Sequence, residues 1–550
     1  MTKVYEAIAD AFVAEGASHV FGMMGDANMH WMHAMAERGS LLYDVRHEGS
    51  GLTMADGWAR ATGNPGVAST TCGPGVTQLA TALVCAARAR TPLVVFAGEA
   101  PLTDPGDSQY LDQRKFADAV ECGFVSVSAP ARAHAAVREA FFLARTTSKP
   151  VMVSAPMDVQ QAEFEGPAEY VRSTELIDTT PVTPAARRVQ EAADIIAGSE
   201  RVVILVGKGA RDPEVGELVL RLQDSTRALL TTTLQVTNWL RDRTPYHAGI
   251  SGGYGTKTAH ELMREADCLI AVGASLNQYT IWHGRLYPKA SIVHIDQADQ
   301  VVPGDGQPVD CYVRGDARLA LEQLIGALDG RTPAGAGYHT PVVAERLREA
   351  TTLREPFHQE PDRLDPREVV LGLDRLIPER LPLVLGSGHQ TDFGTMLFSR
   401  PREIVSNYGL FGAIGQSPLL SMGWALGRGR PTFVVEGDAS FIMHLAEFDT
   451  ACRYGWPVLI LVMNDEALGA EYHKSEAHGL RQDLSAIRSP DLGAVATAMG
   501  GAGATVRTMN QLDKAVGEFL ADPKPTVVDI RISRAVMSVP FRRLWRGEEV

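Results

Sequence analysis

Short apolar runs ending in glycine or polar turns alternate along this chain with segments whose apolar positions recur every three or four residues. Residues 4–15, V-Y-E-A-I-A-D-A-F-V-A-E, carry the helical spacing, and Gly16 stops it. A strand-like run at 20–21 follows, and others come at 67–70, 93–97 and 151–154. Such runs separated by helical patterns predict parallel strands joined by crossover helices. The alternation restarts at 202–207 and continues through 268–272 and 291–295. It restarts again with a helix over 369–377 and ends in a strand at 526–532. Thr and Pro dominate 179–184, and R-T-P-A-G-A-G-Y fills 331–338, so both read as connections. The expected fold is α/β: three doubly wound parallel-sheet domains over 1–170, 185–330 and 360–540. Units of this size match normal domains, whereas a single core stops growing at roughly 250 to 300 residues.

Composition adds exclusions. Hydrophobic residues make up 45% and charged residues 21%, the values of an ordinary globular protein. With 52 Lys and Arg against 66 Asp and Glu, the net charge of −14 argues against a broad nucleic-acid or anionic-membrane surface. Six cysteines, at 72, 85, 122, 268, 311 and 452, form no C-x-x-C pair. That fits a reducing compartment better than a disulfide framework or a zinc site. The N-terminus alternates charges where a signal peptide would be apolar, and no uncharged run approaches the length of a membrane span. A cytoplasmic enzyme is expected, with a small-molecule substrate.

The chemistry concentrates between 433 and 471. One apolar run, 433–435, ends in Gly437-Asp438-Ala439-Ser440, and the next, 457–463, ends in Asn464-Asp465. In a parallel sheet the C-terminal ends of neighbouring strands lie side by side at the edge where ligands bind, so two acidic oxygen ligands would meet there. Hard oxygens suit Mg²⁺, which takes one or two carboxylates and completes its shell with phosphates. Each dipeptide alone is also a common strand-end turn. A faint echo, Gly25-Asp26-Ala27-Asn28, follows the run at 20–21 and suggests that the first and third units are related.

A second signal surrounds Glu48, in V-R-H-E-G-S-G-L-T-M-A-D-G-W-A-R-A-T-G followed by T-T-C-G-P-G-V-T-Q. Glu48 opens a helix whose Gly49, Gly51, Ala55 and Gly57 permit close approach of another backbone or a flat ring. An acid in a first helical turn also suits the helix dipole. Together with the 24 residues between Ala439 and Asn464, these stretches resemble the thiamine-diphosphate (ThDP) dependent superfamily of acetolactate synthase and 2-oxoacid decarboxylase type, along the full length and in the same domain order.

The resemblance makes 1–170 the pyrimidine-binding domain, 185–330 the central domain and 360–540 the diphosphate-binding domain. It implies that Glu48 hydrogen-bonds N1′ of the aminopyrimidine beside the Gly73-Pro74-Gly75 loop, where Cys72 replaces a common Ser. Asp438, Asp465 and Ala467 would hold Mg²⁺. Gly437, Asp438, Ala439, Ser440, Asp465 and Leu468 would contact the cofactor, with Ala439 departing from the third Gly of the family motif and Asp465 from its second Asn. Gly388, His389 and Gln390 resemble the diphosphate loop, His389 as a phosphate donor. Gly412 would accept from the 4′-amino group, and Ile414 would be the wedge that bends the cofactor. A homodimer or homotetramer with sites at the subunit interface is implied. FAD is not expected, because Gly207-Lys208-Gly209 replaces the glycine-rich turn of flavin-containing relatives.

The reaction is the open point. Asp26 occupies the first-domain turn that carries an Asp in decarboxylases, and Glu471 stands six residues after Asp465. Two carboxylates near the reacting carbon would disfavour each other's ionisation and leave one able to protonate. The His-His pair of the same decarboxylases is absent, and His473 is the candidate replacement donor. The leading expectation is a 2-oxoacid decarboxylase or carboligase forming an activated aldehyde that is protonated or transferred to a second carbonyl. The alternatives are an acyl transferase or C–C lyase/hydrolase acting on aldehydes or diketones without CO₂ loss, and a non-catalytic relative.

Overall fold

The structure is a computed structural model that describes residues 2–104, 106–298, 308–331, 335–350, 355–406 and 410–548. It contains three six-stranded sheets in which every strand pair is parallel. With strands numbered within each unit, the first sheet runs 2-1-3-4-6-5, the central sheet 6-5-4-1-2-3, and the third 2-1-3-4-6-5. The central order, read from its other edge, is the dinucleotide-fold order.

The first and third units share their topology, but not through the echo seen in the sequence. Gly25-Asp26 follows the first strand of its sheet (His19–Gly22), whereas Gly437-Asp438 follows the third (Thr432–Gly437). The position equivalent to Asp438 falls after Gly66–Thr70, at the turn that carries Cys72 and Gly73.

Strands such as Val202–Val206, Cys268–Val272 and Val458–Asn464 are buried at every position, as in parallel sheets covered by helices on both faces. The central core continues beyond the strands. Tyr338 and Leu347 are buried in it, and the Tyr338 hydroxyl donates to the Leu262 carbonyl at 2.8 Å.

The first and third units meet through the helices Glu48–Thr62 and Gln416–Arg428, which run in the same direction. Thr53 Oγ1 donates to Gln416 Oε1 at 2.5 Å near their N-termini. Further along, Gly57 faces the Leu420 backbone and Gly423 the Met54 backbone, so closely that a methyl group at either would strike a carbonyl oxygen. Glycine within a helix costs roughly 1 kcal/mol against alanine. Here that cost gives backbone-to-backbone packing, and the partner that the small residues admit is another helix.

Candidate active site

Asp438 and Asp465 sit at the C-terminal ends of adjacent strands. Thr432–Gly437 pairs with Val458–Asn464, Gly437 opposite Met463. Asp438 opens the helix Asp438–Met443, and Ala439, its second residue, is helical, so its Cβ is accommodated. Both acids are buried, 1% and 8% exposed. Burial raises both carboxyls, and for Asp465, pushed up to about 7, the charge of Asp438 is the second cause. Ser489 Oγ donates to Asp438 Oδ2, and Ala467 N to Asp465 Oδ1 at 3.1 Å. The charge of Arg534 favours the Asp465 carboxylate without offsetting burial.

Two buried acids of like charge are costly unless a cation joins them, so the donor set fits a divalent ion. Among the described residues no three His, Cys, Asp or Glu side chains gather as a closed cage, which leaves such an ion coordination positions for backbone and phosphate oxygens. A side chain at Gly469 would begin 2.6 Å from Asp465 Oδ2, so glycine keeps that oxygen clear. Asn464 serves the fold instead: fully buried, it donates to Asp529 Oδ1 at 2.8 Å. Leu468, a third exposed, is anchored by its N–H to Ser485 O at 2.8 Å.

The proposed diphosphate loop follows the strand Leu383–Leu385. Gly388 has φ of 138°, which favours glycine, and the helix His389–Leu397 starts next. Ser387 Oγ is buried with no hydrogen-bond partner, an open donor suited to a phosphate oxygen. Gln390 is turned under the loop, where Nε2 donates to Ser387 O at 3.1 Å and Glu436 Oε1 at 3.0 Å. His389 opens that helix. Its Nε2 accepts from Ser538 N at 2.9 Å, and its ring packs against Phe393, His473 and Phe541. Burial first, then the adjacent His473, hold its pKa well below the usual value, so it is neutral and its Nε2 is committed to the C-terminal segment.

At the other end, Glu48 is half-buried at the first position of its helix. His47 caps that helix, Nδ1 accepting from Gly49 N at 3.1 Å while Nε2 meets Gln78 Oε1 at 2.9 Å. A side chain at Gly75 would begin 3.2 Å from Glu48 Oε1, so the Gly73-Pro74-Gly75 turn lies against this carboxylate. Cys72 Sγ donates to Gln109 Oε1 at 3.0 Å. Gly412 is exposed with φ of 75°, and Ile414 is half-buried before the helix Gln416–Arg428. The preceding residues 407–409 lie outside the described residues.

His444 connects the two ends within one chain. It directly follows Asp438–Met443, its Nδ1 is 3.4 Å from Ser50 Oγ, and its ring is 6.0 Å from that of His47.

The expected catalytic acids are not assembled within the chain. Asp26 is exposed in its turn. Glu471 is exposed on the helix Gly469–Ala477 and pairs with Lys474 Nζ at 3.0 Å. No hydrogen bond or ion pair joins the two among the described residues, because the Glu471 side chain takes the outer face of its helix. His473 occupies the inner face, 2% exposed, with neither ring nitrogen hydrogen-bonded among the described residues, Nδ1 4.0 Å from Glu476 Oε2 and its ring centre 4.6 Å from that of His389. Burial pushes its pKa down to about 4, so near neutrality it can offer an N–H but not an imidazolium proton.

Four participants were missed in the sequence: Glu436, Ser489, His444 and Ser538. Glu436 alone carried a signal, an acid inside the apolar run F-V-V-E-G-D. It is fully buried beneath the loop, pushed up to about 8 by burial, and accepts from Gly437 N at 3.0 Å.

Paired acids and an open hydroxyl on one parallel-sheet edge, with a glutamate-led helix packed beside it, define an enzyme that handles a phosphorylated organic cofactor. Three family models match in order: thiamine pyrophosphate enzyme, N-terminal TPP binding domain, over 2–121; its central domain, over 189–324; and its C-terminal TPP binding domain, over 388–530. The acetolactate synthase large subunit of Parasynechococcus marenigrum is 28% identical, over 97% of this chain and 88% of its own. The isozyme 3 large subunit of Escherichia coli is 26% identical over 94% and 92%, and the sulfoacetaldehyde acetyltransferase of Castellaniella defragrans 27% over 98% and 94%. The chain belongs to the thiamine-pyrophosphate enzymes of acetolactate synthase type, and ThDP is its cofactor.

Proposed function

We propose that the protein is a Mg²⁺- and ThDP-dependent 2-oxoacid decarboxylase and carboligase. The observation that carries this reading is the buried Asp438–Asp465 pair at the ends of adjacent strands, with the Gly388 turn on the same sheet. Asp438 and Asp465, with Ala467, would hold Mg²⁺. Ser387, Gly388, Ala439, Ser440 and Leu468 would hold the diphosphate; Glu48, Gly73, Pro74, Gly75, Gly412 and Ile414 would hold the ring end. Bound there, ThDP supplies a carbon nucleophile for a carbonyl and an electron sink for the adjacent C–C bond.

The chain supplies position and protons. Glu48, half-buried, would hydrogen-bond the pyrimidine end, where a positioned carboxyl serves acid–base work. Asp438 and Asp465 would fix the phosphate end through the ion, and the glycines at 75 and 469 leave the carboxylates of Glu48 and Asp465 clear. In this reading Asp26 and Glu471 meet across the contact between two chains of a homodimer or homotetramer, because one chain leaves them apart. Relatives named as large subunits support an assembly of several chains. The setting is cytoplasmic, and FAD takes no part.

A second reading, acyl transfer without a protonation step, is favoured by the outward-facing Glu471 and by a relative named acetyltransferase. Product analysis by NMR, with ThDP and Mg²⁺ and with pyruvate, longer 2-oxoacids, aldehydes and 1,2-diketones in parallel, separates the two. The proposal expects CO₂ with an aldehyde or hydroxyketone from a 2-oxoacid. Acyl transfer or diketone cleavage without CO₂ selects the second reading, and no turnover of any of them overturns both.

A further inference from the structure

A cavity of about 1070 Å³ lies between the central and third units, bordered by the strand His247–Ile250, the helices Pro341–Ala350 and His389–Leu397, and the C-terminal segment. Its volume is at the upper end of small-molecule pockets, roughly 300–1,000 Å³. It is separate from the turns at Gly207 and Gly273, which end the middle strands of the central sheet and pack against each other.

The lining is unequal in charge. Arg241, Lys257, Arg346, Arg367, Arg542 and Arg543 face it, against Glu349, Glu355 and Asp392. Part of that excess is neutralised locally: Arg346 pairs with Glu261 at 2.8 Å, Arg367 with Asp365 at 2.5 Å and Arg542 with Glu355 at 2.9 Å. Arg241 forms no ion pair among the described residues; the charge of Asp374 reaches it, but Asp374 is itself paired with Arg402 at 2.7 Å. Among the described residues its guanidinium has one hydrogen-bond partner, the neutral Asn238 Oδ1 at 2.9 Å, and burial lowers its pKa. Thr395, which also lines the cavity, is 2% exposed, and its Oγ1 has no hydrogen-bond partner among the described residues. A desolvated guanidinium and an orphaned hydroxyl are both groups that a polar ligand would satisfy. The remaining wall is apolar, from Ile250, Leu347, Phe357 and Met396.

We propose that this cavity is a second ligand site, for a small molecule with a phosphate or carboxylate head on an apolar body, held by Arg241 and Thr395. The site is lined by Asp392, Phe393 and Thr395 to Leu397 of the helix His389–Leu397, whereas the diphosphate loop precedes that helix. It shares a wall with the catalytic site through Asp392, whose Oδ2 accepts from Ser538 Oγ at 2.6 Å while Ser538 N donates to His389.

Isothermal titration of the holoenzyme, saturated with ThDP and Mg²⁺ so that the catalytic diphosphate site is filled, tests this with inorganic phosphate, adenosine diphosphate and octanoate as probes. Adenosine diphosphate or octanoate is expected to bind at one site per chain, and more tightly than phosphate; which of them binds identifies the head group. Arg241→Gln should weaken that binding about tenfold or more, the loss of a charge-assisted contact, and Thr395→Val should weaken it less, with turnover retained in both variants. Absence of binding by all three probes at millimolar concentration, or unchanged affinity in both variants, overturns the proposal whatever reaction the enzyme catalyses.

Discussion

Glu48 and Asp438 were legible as single residues because each stands where the chain changes from one regular element to the next. At such a position the backbone fixes the side chain's direction: a residue just past a buried parallel strand must face the ligand edge. Asp465 followed the same rule, and Asn464, one residue earlier and still inside the strand, turned into the core to bind Asp529. Glu471, His473 and His389 were not legible, because they stand on helices. A helix offers several faces, and only packing decides which faces inward. The identity of Glu48 sets a test. Glu48→Gln should retain ThDP binding but slow turnover by roughly 10²- to 10⁴-fold, the usual worth of a positioned acid–base group, and slow exchange of the cofactor C2 proton with it. Near wild-type exchange, followed by NMR in D₂O, would remove Glu48 from that role.

Among elements, the helix pair Glu48–Thr62 and Gln416–Arg428 is the structural centre, and its sequence looked weak. Gly49, Gly51 and Gly57 lower helix propensity, yet the helix is buried almost throughout, because Gly57 lets Gln416–Arg428 approach backbone to backbone while Gly49 lies against Gln78 and Gly51 against Val45 and the strand His19–Gly22. Gly423→Ala places a methyl group against the Met54 carbonyl. Overpacking of this kind costs about 1–3 kcal/mol where side chains can yield, and backbone yields less. The variant should therefore unfold several degrees below wild type in a thermal scan. It should also bind ThDP more weakly if, as proposed, Glu48 and Ile414 at the N-terminal ends of these helices hold the cofactor. An unchanged Tm would show that the helices have room to separate.

At the scale of the whole molecule, three units contribute to two places where ligands fit, and the assembly of chains bears directly on the first. If sites form between chains, a Glu48→Gln chain and an Asp438→Ala chain, each inactive alone, restore one intact site when co-assembled. Co-expression of differently tagged chains and purification of the mixed species should then return activity. Inactive mixed species would mean that each chain completes its own site, with His444 as the link already present between its two ends.

The sequence by itself determined the elements, the α/β class and the strand-end acids, since apolar periodicity and chain direction are local properties. It also carried the family, through motifs whose spacing survives at modest identity. Only the tertiary structure decided that Glu471 faces Lys474, that His389 is held by Ser538, that two glycine-bearing helices join the outer units, and that Arg241 lines a cavity with the neutral Asn238 as its hydrogen-bond partner. Each of these depends on which segments, distant in the chain, are brought together, and local spacing contains no record of that.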